Sequence, residues 1–239
     1  WVAAGRPDND WGDYVKNADA PLTSINFSAT GGSERHNFYA SLSHDKIEST
    51  VIGSDFRRIG ASLSFMQKIT DKVEFNTSIK VTNTKQNGIS EGGAYFSNPN
   101  YIKLVMNPWN PLYNEDGSYF LPNSGYHNVV YTTKHNQTLN DVTRVINSNS
   151  ISYAITDNLK FTSSMAIDYT LADFSEYRNP VHGDGKNYGG TAAKAVRNNF
   201  NYVAQNGLDY KFYLGENHQF NTKVLVEYQK SKRRFLEGS

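Results

Sequence analysis

Alternation of apolar and polar residues is the dominant pattern along the chain. In one clear case, Val73, Phe75 and Ile79 are separated by polar residues such as Glu74 and Ser78. A period of two residues is that of a β-strand with one apolar and one polar face. The pattern predicts eight strands, at about 25–30, 37–43, 58–65, 73–82, 145–155, 159–171, 200–212 and 220–228.

The connections between the predicted strands fall into two classes that alternate along the chain. Four are short and rich in Gly, Asp and Asn, which tolerate tight turns; they lie at 31–36, 69–72, 156–158 and 214–217. Three are longer and cover about 47–54, 87–141 and 173–196. In an up-and-down sheet, this order places all tight turns on one rim and all long loops on the other.

One local pattern occurs three times, at 69–81, 155–167 and 214–226. Each copy has a turn with an acidic residue, then Lys or Asn, then a Phe three residues later, followed by alternation. The three aromatic residues are Phe75, Phe161 and Phe220. Aromatic side chains at one matched distance from a turn are typical of the interfacial girdle of a membrane barrel.

Alternation alone leaves open what the apolar strand faces contact. A soluble sandwich buries them against a second sheet, whereas an outer-membrane barrel turns them to lipid around a wet interior. The long strands and their Asn-, Ser- and Thr-rich opposite face favour the barrel, since a crossing needs about 9–11 residues. We therefore expect an all-β fold, an antiparallel up-and-down meander of about eight long strands. We expect helix only in the first twenty residues, around 11–17.

Charge and composition exclude several functions. The 239 residues carry a formal net charge of +1 and include no cysteine. Balanced charge gives no field that attracts nucleic acid, and the missing cysteines exclude a disulfide framework and thiolate chemistry. The six histidines are scattered without the spacing of metal ligands. We expect no catalytic residue, no metal and no cofactor.

The predicted loop at 87–141 is the candidate binding region because it is rich in aromatic residues and proline. A structureless stretch above about 15 residues is usually functional or disordered, and this composition argues against disorder. Flat aromatic rings suit sugars and protein hot spots; the alternative is that they pack the loop onto itself and the barrel wall. The candidates for ligand or partner contact are Tyr95, Phe96, Tyr101, Trp109, Tyr113, Tyr119 and Phe120.

Four motifs near the start of the chain resemble one protein family. They are Asp10-Trp11, Gly31-Gly32-Ser33, the strand at 38–42 and the Gly-Ser-Asp-Phe-Arg-Arg stretch at 53–58. Their order and spacing resemble those of the SusC/RagA family of TonB-dependent outer-membrane transporters from Bacteroidetes. Ala29-Thr30 departs from the family pattern, where Ser is more usual before the glycines. Over residues 8–70 the resemblance rests on these specific motifs. Beyond residue 70 it rests only on the spacing of the predicted hairpins.

The resemblance implies a fragment of a 22-stranded transmembrane β-barrel in the bacterial outer membrane. Residues 1–22 would connect the plug domain to the barrel, and 23–239 would form about its first eight strands. The implied function is import of glycans or peptides, without catalysis. The implied partners are a SusD-like lipoprotein, outer-membrane lipid, and TonB through an N-terminal region that this chain lacks.

Two hypotheses from other classes stay open. One is a soluble all-β glycan-binding module whose aromatic loop forms the binding surface. The other is a small eight-stranded outer-membrane barrel that acts as an adhesin, which requires the first and last strands to pair. The basic run KSKRRF at 230–235 also has two interpretations. It meets anionic lipopolysaccharide at the outer end of a strand, or it is merely a solvated rim.

Overall fold

The fold is one antiparallel sheet of eight strands arranged in sequence order. It is seen in a computed structural model that describes residues 8–89, 95–123, 125–215 and 217–239. The strands are β1 (Leu22–Gly32), β2 (His36–Glu48), β3 (Asp55–Lys68), β4 (Val73–Asn87), β5 (Gln137–Ala154), β6 (Leu159–Arg178), β7 (Thr191–Leu214) and β8 (His218–Gly238). The predicted all-β, up-and-down meander is therefore confirmed.

The strands are longer than the alternation predicts, and the connections are correspondingly shorter. Strand lengths run from 11 residues in β1 to 24 in β7. The tight turns lie at 33–35, 69–72, 155–158 and 215–217, and the long loops at 49–54, 88–136 and 179–190. The predicted alternation of turns and long loops holds, so the sheet has a turn rim and a long-loop rim.

In the described residues, three short α-helices lie outside the sheet. The expected N-terminal helix is α1 (Trp11–Val15), where the carboxylate of Asp10 accepts a hydrogen bond from the Gly12 amide at 2.7 Å. The expectation that helix occurs only there is wrong, because the long loop contains α2 (Pro99–Val105) and α3 (Val129–His135). At seven residues each, both helices are too short to show a helical period. Within the described ranges, no helix is long and apolar enough to cross a membrane.

The sheet has one apolar and one polar face. No strand pairing contains a bulge, so directly paired residues share a face along the whole sheet. One row of the apolar face is Phe27, Leu42, Ala61, Val81, Val145, Tyr169 and Phe200. One row of the polar face is Ser28, Ser41, Ser62 and Lys80.

Within the described residues, no protein layer covers the apolar face. Its side chains are open, as in Leu42 at 61% exposure and Val226 at 66%. The buried hydrophobic residues of the described chain instead lie in α1, the 49–54 loop, α2 with its C-cap Met106, and α3. A soluble sheet buries its apolar face against a second layer. An uncovered apolar face opposite a polar one is the arrangement of a membrane-barrel wall.

Two belts of aromatic side chains cross the apolar face of β6 to β8. The turn-side belt contains stacked Phe212 and Phe220, with ring centroids 5.1 Å apart. The loop-side belt contains Tyr202 and Tyr228, 5.7 Å apart, and continues through Phe200 to Tyr169. Ten residues of β7 separate the two belts, about 24 Å along the axis of a barrel whose strands tilt by about 45°. This matches the apolar band of about 25 Å between the girdles of an outer-membrane barrel.

The register also tests whether Phe75, Phe161 and Phe220 share one depth. Each is the third residue of its strand and lies on the apolar face. The pairings allow the start of each even-numbered strand to be compared with the next. β4 starts two residues nearer the turn rim than β2, β6 starts two residues nearer than β4, and β8 starts four residues nearer than β6. This stagger corresponds to a strand tilt of about 43°. At that average tilt the turn rim is level to within about 4 Å, so the three Phe residues lie at nearly one depth.

Two asparagines interrupt the apolar pattern of β5 without ending the strand. The Asn149 amide donates to Asn147 Oδ1 at 2.6 Å, and Asn147 Nδ2 donates to the Ser78 carbonyl at 3.0 Å. Thr77 completes the ladder by donating its hydroxyl to Asn149 Oδ1 at 2.7 Å. Because these polar groups are paired with each other and with the backbone, they are tolerated on a face that meets hydrocarbon.

A charge-insertion pair tests the assignment of the two faces. Ile79→Lys places an ammonium near the middle of the apolar face and should destabilise the folded full-length barrel by about 2–4 kcal/mol. The matched change Ser78→Lys lies one residue away on the polar face and should alter stability little. Urea titration in lipid vesicles measures both. Equal effects of the two substitutions would show that the apolar face does not contact lipid.

Candidate functional site

The long-loop rim carries a compact structure that we call the rim cap, formed by α1, the 49–54 loop, the 88–136 loop and the 179–190 loop. Its apolar core joins residues that are distant in sequence: Trp11, Val15, Val51, Ile102, Met106, Val129 and Val130. Ile102 and Val129 are fully buried. The cap is therefore packed like a small globular domain, unlike the sheet that supports it.

Backbone and side-chain hydrogen bonds attach the N-terminal segment to this cap. The indole of Trp11 donates to the Asn110 carbonyl at 3.0 Å, and Asn9 donates its backbone and side-chain amides to the Pro108 carbonyl. The Ile52 amide donates to the Val15 carbonyl at 2.9 Å. Residues 9–17 thus belong to the long-loop rim.

Asn128 is the central polar residue of the cap and is fully buried. Its side-chain amide donates to the Leu112 and Phe120 carbonyls at 3.0 Å each. Its side-chain oxygen caps α3 by accepting from the Tyr131 amide at 3.1 Å. One side chain therefore fixes both the helix start and the path of the chain before it.

Asn179 and His182 attach the 179–190 loop to α3. The Asn179 side chain donates to Asn136 Oδ1 at 2.6 Å and accepts from the His182 amide at 3.0 Å. His182 is only 1% exposed. Its Nε2 accepts a hydrogen bond from the backbone N–H of Asn128 at 2.9 Å. This contact requires a neutral imidazole, because a protonated ring has no acceptor.

The surroundings of His182 also favour the neutral ring. Burial, reinforced by the neighbouring His127 and Lys186, lowers the pKa of His182 to about 4, while Asp184 acts in the opposite direction. Burial likewise lowers the pKa of His127, whose Nδ1 lies 3.0 Å from the Ser97 hydroxyl. The two rings meet edge to face, with centroids 5.2 Å apart.

The predicted aromatic residues of the long loop form two clusters. Phe96 contacts Tyr126 with ring centroids 5.5 Å apart, and Tyr101 approaches the same ring at 6.4 Å. Tyr113 and Tyr119 pack at 5.0 Å. Much of the aromatic surface is therefore used in packing the loop onto itself.

Part of that aromatic surface still faces outward. Phe96, Tyr101, Trp109 and Tyr113 are 38–48% exposed, whereas Phe120 is half-buried. Tyr95 begins a 3₁₀ turn at Tyr95–Ser97, and its side chain lies outside the described part of the structure. The exposed rings give the cap an apolar outer surface suited to a partner or ligand.

A cavity of about 590 Å³ opens between the cap and the strand ends. Its charged lining residues are Glu48, Asp55, Glu176, Arg178 and Asp184. Among the described lining residues, none is one of the seven aromatic candidates. Two of the four carboxylates are ion-paired, Glu176 with Arg178 at 3.0 Å and Glu48 with Lys46, so the lining is only modestly acidic.

Hydrogen bonds fix several of these carboxylates. Lys46 Nζ lies 2.6 Å from Glu48 Oε1. Asn87 donates its side-chain amide to both oxygens of Asp55, at 2.6 and 2.8 Å. Among the described residues, no group of three or more His, Asp or Glu side chains is arranged to hold a metal.

Removing the Asn128 side chain should loosen the cap. Asn128→Ala leaves two carbonyls without their donor and α3 without its cap, which should cost about 2–4 kcal/mol of local stability. Hydrogen exchange of the full-length protein should then speed up across 107–135. Asn100→Ala, at an exposed position of α2, is the matched control. If both variants exchange alike, Asn128 does not organise the cap.

Acidification should release the 179–190 loop. The pKa of His182 is lower in the docked state than in the undocked state, so docking is strongest above about pH 6.5 and weakens as pH falls toward 4. The loss should be on the order of 2–3 kcal/mol. Limited proteolysis of this loop against pH measures it. His182→Gln keeps an acceptor but does not titrate, so an unchanged pH dependence in that variant would contradict this role.

Comparisons with known proteins agree with the geometry. No protein-family model matches the chain. TonB-dependent receptor P26 of Formosa agariphila is 26% identical over 251 residues, covering 97% of this chain and 23% of that protein. The RagAB peptide importer in its "closed-closed" state has a TM-score of 0.71 at 17% identity, covering 97% of this chain and 27% of that chain. In the "open-open" state the TM-score is 0.72 at 15% identity, with 96% and 30% covered.

At these identities the structural likeness shows the fold, and the sequence match extends the likeness over nearly the whole chain. This chain spans less than a third of the length of the proteins it matches. The motifs at 10–11, 31–33, 38–42 and 53–58 point to the same group. The sequence match and the shared fold together confirm the resemblance to TonB-dependent receptors, and the fold matches part of the β-barrel of the RagAB importer.

Proposed function

We propose that this chain forms part of the wall and outer rim of an outer-membrane transporter that works with TonB. The observation that carries the proposal is the sheet itself. Its apolar face lacks a protein layer in the described residues and lies between two aromatic belts, while its other face is polar. Lipid on one side and a wet interior on the other satisfy both faces.

In this proposal the rim cap faces the exterior and meets the substrate and a SusD-like lipoprotein. The similarity to a protein described as a peptide importer supports peptides as the substrate class, with glycans as the alternative. The exposed rings of Phe96, Tyr101, Trp109 and Tyr113 supply an apolar contact surface for the lipoprotein.

Several assignments stay predictions within this proposal. They are the 22-stranded barrel, the role of residues 1–22 as a plug-to-barrel connection, and the roles of the seven aromatic candidates. The packing of residues 9–17 into the rim cap adds a constraint, since any such connection has to pass along the long-loop rim.

The structure gives less support to the alternatives. A soluble glycan-binding module would need a second layer over the apolar face. An eight-stranded adhesin would need β1 and β8 to pair. In the described residues these two strands are the edges of an open sheet. We therefore retain the transporter as the proposed function.

Cysteine labelling of the full-length protein in intact cells tests the topology. This chain has no native cysteine, and any cysteine elsewhere in the full-length protein is first replaced by serine, so that only the introduced thiols are read. Glu115→Cys, on the exposed outside of the cap, should react with a membrane-impermeant maleimide. Asp157→Cys, in a tight turn, should react only after the outer membrane is opened.

Both sites are exposed in the structure, so a difference in labelling reports sidedness and not burial. Labelling of Asp157→Cys in intact cells at the rate of Glu115→Cys would overturn the membrane-spanning assignment. Labelling of Asp157→Cys alone would show that the orientation is reversed.

A further inference from the structure

Three cations occupy consecutive outward positions near the end of β8. Lys230, Lys232 and Arg234 alternate along the strand and pair with Tyr202, Phe200 and Asn198 of β7. They therefore share the apolar face with Tyr228, Val226 and Val224. All of β8 is solvent-exposed in the structure. The basic run that the sequence shows is thus divided between two faces, and most of it lies on the face assigned to lipid.

The loop-side aromatic belt fixes the depth of these cations. Lys230 follows Tyr228 by one strand period, toward the long-loop rim. At the tilt derived from the register, Lys230, Lys232 and Arg234 lie about 24, 29 and 34 Å beyond the turn-side belt. The apolar band of a barrel is about 25 Å tall. The cations therefore begin where hydrocarbon ends and extend through the layer of lipid headgroups.

On the β7 side of β8, the described residues do not compensate these charges. On the apolar face of β7 and β8, the described residues include no carboxylate. The nearest acidic residue on this face, Asp173 of β6, is paired with Lys194 at 3.1 Å. The polar face of β8 differs, since Lys223 and Arg233 share it with Glu227 and Glu237. The excess of positive charge is therefore specific to the lipid side.

We propose that Lys230, Lys232 and Arg234 form a binding site for the phosphate groups of an anionic glycolipid in the outer leaflet. Neighbouring side chains on one strand face are about 7 Å apart, so the three cations span a ladder of about 13 Å. Arg234 offers the planar, two-pronged donor set that matches phosphate oxygens, and the lysines add mobile point charges. The adjacent rings of Tyr202 and Tyr228 contact the upper ends of the acyl chains.

This inference rests on the proposed membrane placement. A soluble anionic partner is disfavoured because the site begins at the edge of the apolar face. A ligand that binds there has to be amphipathic, with acyl chains beside the belt and anionic groups above it.

The test uses the full-length protein in uncharged maltoside micelles supplied with lipid A, with native mass spectrometry to count bound lipid. The triple variant K230Q/K232Q/R234Q should retain at least tenfold less lipid A than the wild type. The matched variant K223Q/R233Q removes two cations from the polar face of the same strand and should bind normally. Resistance to trypsin checks that each variant is folded.

Three outcomes would overturn the site. They are equal lipid binding by the triple variant and the wild type, equal losses in the triple and matched variants, and displacement of lipid A by millimolar inorganic phosphate. The last would indicate a site for free anions. Lipid A bound equally well after removal of its phosphate would also contradict the proposal. If cysteine labelling shows the expected sidedness and lipid binding fails, only this inference is lost.

Discussion

The sheet depends on one constraint: its apolar face has to be removed from water by something other than this chain. Seven unbroken strand pairings assign each side chain to one of two faces. A slip of one residue would move apolar side chains to the polar side. The tilt, the level turn rim and the spacing of the aromatic belts all follow from that fixed register. The proposed hydrocarbon surrounding fits all of them together.

The rim cap follows the opposite rule and is stabilised as soluble proteins are. Trp11, Ile102 and Val129 provide a buried apolar core, and Asn128 and Asn179 supply internal hydrogen bonds. In the described part of the chain no buried side-chain polar atom lacks a partner. The two parts of the chain are thus stabilised differently. The rim cap depends on its own buried core, whereas the sheet depends on the proposed membrane.

Local pattern was enough to predict the strands, the two classes of connection and the Phe positions, because each is set within a few residues. The helices α2 and α3 were not predicted, because each has only seven residues and starts at an isolated cap, Asn98 or Asn128. The acidic cavity was missed for another reason. Glu48, Asp55 and Glu176 lie at the ends of separate strands, and only the three-dimensional arrangement of long loops brings them together. The alternation of turns and loops already placed them on one rim, which is the signal that sequence analysis had available.

The shared core of the cap has a consequence for how this rim meets other molecules. The described parts of the three loops and the N-terminal helix contact one another directly, so their arrangement does not require a bound partner. A partner that docks on the cap therefore loses little of the conformational entropy that mobile loops would lose. Because these contacts are shared, displacement of one segment disturbs the packing of the others, so we expect them to respond to a partner together.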